Sequence, residues 1–172
     1  MIVSLLLMLA GGVLTIMGHP WGMAPIVAAV VCAGSFLRRR DMLIIGLGAM
    51  LLHDMVLGLS LFTLVRLAAI AGVIGVVQWL RVTPRPLSLG AGVVLAAPVY
   101  QVILAVGDWA THFCTTQPRT LAGLQATLFS AWPYMQQSFF SDLAFTAAFL
   151  GLYTCVGYVL RTRWPALVAS RS

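Results

Sequence analysis

The sequence predicts an all-α integral membrane protein, a six-helix transmembrane bundle forming one domain over residues 1–172. Three observations carry that expectation. Hydrophobic residues make up 61% of the chain and charged residues 8%, against roughly 25% charge in an ordinary soluble domain. Chain breakers recur at about the spacing of one membrane span, roughly 20 residues. Arginine is concentrated in alternate connections between the apolar runs.

Fourteen charged side chains cannot coat a domain of 172 residues, and the mean hydropathy of +1.01 places most side chains in lipid or against other apolar helices. No length is left for a large extramembrane domain, so binding or catalysis has to come from the bundle and its loops. All ten basic residues are Arg and all four acids are Asp. The pI near 10.1 reflects Arg in cytoplasmic loops rather than a nucleic-acid surface, since no basic stripe interleaved with aromatics occurs. Cys32, Cys114 and Cys155 have no paired spacing, which implies neither a disulfide framework nor a metal knuckle.

The first span is expected over about 2–17, ending at Gly18-His19-Pro20, where proline removes a donor and biases its predecessor away from helix. It has no basic n-region and no A-x-A site, so it reads as a retained span and not a cleaved signal. The second covers about 22–37 and stops at Arg38-Arg39-Arg40-Asp41. The third, about 42–57, turns at Gly58-Leu59-Ser60 into a fourth over 61–80. Thr83-Pro84-Arg85-Pro86 precedes a fifth over 89–106, and a polar loop over 107–118 follows. The segment 120–137 is only moderately apolar and contains Pro133, so an extra interfacial or re-entrant helix is expected before the sixth span at 139–160.

With the N-terminus inside, the cytoplasmic connections and tail hold Arg38, Arg39, Arg40, Arg81, Arg85, Arg161, Arg163 and Arg171. Only Arg66 and Arg119 fall elsewhere, so the positive-inside rule places both termini in the cytoplasm. The remaining ionisable groups gather on the outer side: His19, His53, Asp54, Arg66, Asp108, His112, Arg119 and Asp142.

A rise of 1.5 Å per residue puts Asp54 about 6 Å and Arg66 about 7 to 8 Å below the Gly58 to Ser60 turn, on consecutive antiparallel helices. They can reach each other, either as a clamp pinning the hairpin or as the floor of a polar cavity that meets a ligand. Asp142, Phe145, Phe149 and Tyr153 follow i, i+3, i+7 and i+11, which sets an acid above an aromatic stripe. That face suits a flat heterocycle, or equally an aromatic core with Asp142 capping. Trp109, Trp132 and Tyr134 fit either the headgroup belt or a ligand site. Ala24 with Ala28, Ala29 with Ala33, Ala68 with Gly72, and Ala71 with Gly75 are small-xxx-small pairs for close helix packing, or for subunit docking where they face outward. No H-E-x-x-H, P-loop, G-x-S-x-G or paired-Cys site is present, so neither an enzyme nor a cofactor is expected.

Pro118-Arg119-Thr120, Gly123-Leu124, Ala131-Trp132-Pro133-Tyr134, Ser138, Asp142-Leu143, Phe145-Thr146 and Phe149-x-Gly151-x-Tyr153 together resemble the C-terminal signature of a bacterial membrane family of unknown function. That family is similar to the substrate-binding S components of energy-coupling factor (ECF) transporters. Pro20, Ala24-Pro25, Ala28, Gly34, Asp54 and Gly58 fit the same pattern, so the resemblance runs from His19 to Tyr153. It implies an S-component-like bundle with an outward site for a vitamin or cofactor precursor, docking on a transmembrane coupling subunit driven by ATPases. Asp54, Arg119, Trp132, Tyr134 and Asp142 would then bind the ligand or close over it. Ile2 to Met17 lacks the Ala-xxx-Ala pair that S components use for docking. The hairpin around Asp54 and Gly58 is also similar to the membrane subunit of rod-shape morphogenesis complexes, which would be a scaffold without a ligand.

The expectation is a small-molecule-binding component of an uptake system in the bacterial inner membrane. Asp54, Arg66, Arg119, Trp132, Tyr134, Asp142, Phe145 and Phe149 are its candidate ligand-binding residues. The expected partners are a small solute, the bilayer and a coupling subunit, with no nucleic acid.

Overall fold

The computed structural model describes Val13 and residues 25–163. Among the described residues the chain is all-helical, with five helices: α1 Ile26–Phe36, α2 Arg39–Leu57, α3 Leu61–Leu80, α4 Pro86–Thr111 and α5 Leu121–Arg163. A six-helix bundle is therefore not what these residues form. The expected first span, His19, Ala24 and Arg171 lie outside the described residues.

Three stretches are long and apolar enough to cross a membrane: α3, α4 and Leu121–Cys155 of α5. Within their most apolar windows only 39%, 39% and 22% of the residues are buried inside the protein. The rest of each apolar surface faces outward, as at Leu64, Trp79, Val94 and Phe140, which suits lipid and not water.

The connections follow local chemistry. Only Leu37 and Arg38 separate α1 from α2, and Asp41 lies in the first turn of α2, where an acid complements the helix dipole. Gly58, at φ 110, makes the α2–α3 turn in a region that favours glycine. Thr63 Oγ1 then accepts the Ser60 backbone N–H at 3.2 Å, tying the first turn of α3. Arg81 closes α3 in a left-handed conformation, and Pro86 opens α4 at a position where its missing N–H costs nothing. Arg38, Arg39, Arg40, Arg81 and Arg85 are all exposed, and the alternation of helices puts them at one end.

Two expected boundaries are corrected. The helix predicted at 89–106 runs on to Thr111, so Asp108 and Trp109 belong to the last turn of α4 and not to a loop. Thr111 Oγ1 bonds the Gly107 carbonyl at 2.8 Å there, holding the extra turn. The interfacial helix at 120–137 and the span at 139–160 are one continuous 43-residue helix with Pro133 inside it. Proline removes one donor, and the acceptor it orphans belongs to exposed Phe129, where a polar surrounding can satisfy it.

α1 packs against each of the other four helices and carries Ile26, Val27, Ala28, Val30 and Val31 at almost no exposure. With 11 residues it reaches about 16 Å, too short to cross a bilayer alone, so the span expected over 22–37 is corrected on its described part. The core assembles around this short helix from Met42, Ile45 and Ala49 of α2, Ile70 and Val73 of α3, and Leu89 and Val93 of α4. Gly107 allows α3 and α4 to close at the far end, because a Cβ there would run into Val65.

Candidate functional site

Eight polar side chains are buried among the described residues: His53 and Asp54 on α2, Thr63 on α3, and Thr127, Ser138, Ser141, Asp142 and Thr146 on α5. Burial of a polar group is costly unless it is paired, so each needs an account.

The pairing expected between α2 and α3 is present. Arg66 Nη1 donates to Asp54 Oδ1, with Asp54 fully buried and the Arg66 side chain 18% exposed. His53 Nδ1 lies 2.8 Å from the same oxygen. Arg66 is further covered by the Phe62 ring, 5.1 Å from guanidinium carbon to centroid, a favourable cation–π placement. Phe113, just beyond α4, stacks on Phe62 with centroids 4.8 Å apart. The α4–α5 connection thus lies over the ion pair through two aromatic rings.

Asp142 is also fully buried, and its Oδ1 accepts the backbone N–H of Ala28 at 3.1 Å. Ala28 is the third residue of α1, and Pro25 at the cap position supplies no side-chain bond. A carboxylate from α5 therefore caps α1 from outside its own sequence, where the dipole favours negative charge. One turn further along α5, Thr146 sits against the Cys32 thiol. Tyr100 on α4 is buried within electrostatic reach of Arg66, Asp142 and Asp54, which ties both acids to one neighbourhood.

Four buried oxygens meet no hydrogen-bond partner among the described residues: Asp54 Oδ2, Asp142 Oδ2, Ser141 Oγ and Thr146 Oγ1. Each carboxylate therefore has one oxygen engaged and one open. Such groups are acceptors when ionised and are expensive to leave unmet in a low-dielectric interior.

The other candidates divide. Phe145 and Phe149 are half-buried on the Asp142 face, with ring centroids 6.3 Å apart. Tyr153 continues the stripe but is exposed and stacks on Phe36, at 4.1 Å between centroids. Arg119, Trp132 and Tyr134 are exposed. Arg119 donates to the Ala110 carbonyl at 2.9 Å and Trp109 to the Pro118 carbonyl at 3.1 Å. Asp108 Oδ1 accepts the Cys114 N–H at 2.7 Å, so these groups hold the α4–α5 connection together. Trp132 lines a groove of about 480 Å³ along α5 with Gln125, Leu128, Phe129 and Met135.

Outside the membrane-spanning parts, burial and the nearby Asp108 carboxylate push the Cys114 thiol above its ordinary range, with Arg66 acting in the opposite sense. Among the described residues no group of three His, Cys, Asp or Glu could hold a metal ion.

Sequence reasoning missed Tyr100, Ser141 and the open oxygens. Tyr100 sits inside a long apolar run and carries no motif. Ser141 precedes Asp142 and could have been found by asking which polar residues share its turn.

Residues 1–167 match the family model of DUF6580, a family of unknown function. No curated protein and no solved structure matches the chain.

Proposed function

We propose that this chain, which belongs to the family of unknown function DUF6580, is the membrane-embedded small-molecule-binding component of an uptake transporter. The reading includes a multi-pass protein of the bacterial inner membrane with cytoplasmic termini, an S-component-like plan and a transmembrane coupling subunit as partner. The observation that supports it most is the pair of fully buried acids, each with one carboxylate oxygen unmet by the described residues. A bundle built only to pack would gain by replacing such groups with apolar ones, whereas a site keeps convergent polar atoms within apolar walls. Intramembrane ionisable groups are rare and costly and commonly mark substrate, ion or proton pathways.

A scaffold reading is favoured by one feature, the closed Asp54–Arg66 pair under Phe62 and Phe113. Native mass spectrometry of the full chain, released from membranes in mild detergent, separates the two. A solute of a few hundred daltons that is lost in Asp142→Asn supports binding. Preparations that stay empty in both proteins favour the scaffold.

A further inference from the structure

The two buried acids are partnered unequally. Asp54 has Arg66 as its cation, and the guanidinium is already committed to that carboxylate and to the Phe62 face. Asp142 has one backbone N–H and the start of α1, worth about half an elementary charge at most. Among the described residues Asp142 takes part in no ion pair. Ser141, next to Asp142 on α5, is itself buried, and its hydroxyl meets no partner among the described residues.

A groove two helical turns from Asp142 on the same helix has matching chemistry. The groove lined by Gln125, Leu128, Phe129, Trp132 and Met135 follows one face of α5. Met135 precedes Asp142 by seven residues, two helical turns on the same face. Phe129 and Trp132 are exposed there, and aromatic faces attract cations. Phe145 and Phe149 lie below, beside Asp142.

Resting on the reading of the chain as a solute-binding component, we infer that its solute is a cation carrying N–H donors on a flat apolar body, a protonated amine or amidine. It reaches Asp142 Oδ2 along the α5 groove. The solute's N–H groups donate to Asp142 Oδ2 and the Ser141 hydroxyl, and its positive charge pairs with the Asp142 carboxylate. An anionic solute would place a second negative charge beside Asp142, which the low dielectric penalises.

The test uses the purified full chain in detergent, with benzamidine hydrochloride, sodium benzoate and benzamide as probes of nearly equal shape and different charge. Well above its Kd, benzamidine is expected to raise Tm by about 4 °C, and the other two by much less. Asp142→Asn, which keeps an oxygen for the Ala28 N–H, is expected to lose the benzamidine shift. Trp132→Ala, at an exposed position, is expected to weaken benzamidine binding several-fold while leaving the unliganded Tm unchanged. Metabolites extracted from the same preparation should carry net positive charge. An anionic metabolite, or a benzoate shift equal to that of benzamidine, overturns the cation assignment and leaves solute binding standing. No shift with any probe, together with empty extracts, overturns both.

Discussion

Asp142 Oδ1 accepts the backbone N–H of Ala28 across 114 residues of sequence, so a side chain of α5 finishes the first turn of α1. Helix starts leave backbone donors unmet, and here the partner is a carboxylate from the longest helix in the chain.

Removing that carboxylate should loosen α1, around which the core assembles. Asp142→Ala is expected to cost about 1 to 2 kcal/mol, the range for losing a helix cap. Asp142→Asn should cost less, because its amide oxygen still accepts the Ala28 N–H. Thermal unfolding of the purified protein in detergent distinguishes the two, and equal Tm for Asp142→Ala and wild type would show the cap to be unimportant.

Breaking the ion pair on one side should be worse than removing it whole. Asp54→Ala leaves Arg66 largely buried without its partner, at an expected cost of about 3 to 5 kcal/mol, whereas Asp54→Ala with Arg66→Leu should recover much of that loss. A double-mutant cycle on Tm measures the coupling. Additive losses would mean that the two residues do not act as a pair.

Two glycines should answer oppositely to the same substitution. Gly107→Ala puts a methyl into Val65 and is expected to destabilise by about 1 to 3 kcal/mol. Gly75 has open space around the position of a Cβ, so Gly75→Ala should be neutral or stabilising by up to about 1 kcal/mol. Paired melts read both, and a neutral Gly107→Ala would show that the α3–α4 contact gives way easily.

Cys114 tests both the electrostatics and the proposed orientation of the outer connection. Burial and Asp108 hold its thiol above the ordinary range; a raised pKa keeps the thiol protonated at neutral pH and slows alkylation, and the rate climbs as pH rises toward that pKa. Asp108→Asn keeps an oxygen for the Cys114 N–H, removes the negative charge, and should speed labelling by a membrane-impermeant maleimide. In intact spheroplasts carrying Cys155→Ser, labelling from outside is expected. Protection there, with labelling only after lysis, would reverse the assigned topology.

Features set by nearby residues were legible in the sequence. The limits of α3 follow from Ser60 with Thr63 at its start and the Thr83-Pro84 break after it, and helical rise alone placed Asp54 beside Arg66. The continuity of α5 was not legible, because Pro133 carries the same stop signal whether its orphaned acceptor is buried or exposed. Nor was the shortness of α1, since Ala28 needs Asp142 from the far end of the chain. Motif order could not show that Arg119 ties down the α4–α5 connection or that Trp132 and Tyr134 stay exposed, because both follow from the folded connection and not from neighbours along the chain.

The 43 residues of α5 make a rod about 64 Å long, and a hydrocarbon core takes up only about 30 Å of it, or about 45 Å with headgroups. Upright in a bilayer, the same rod that carries Asp142 would leave at most about 20 Å clear of the headgroups, and tilt shortens that. A 20° change in the tilt of α5 would sweep Leu121 through roughly 20 Å relative to Arg163. This makes the Leu121 end of α5 a lever, magnifying small rotations at the buried acids into a displacement large enough for a label at Leu121 to report.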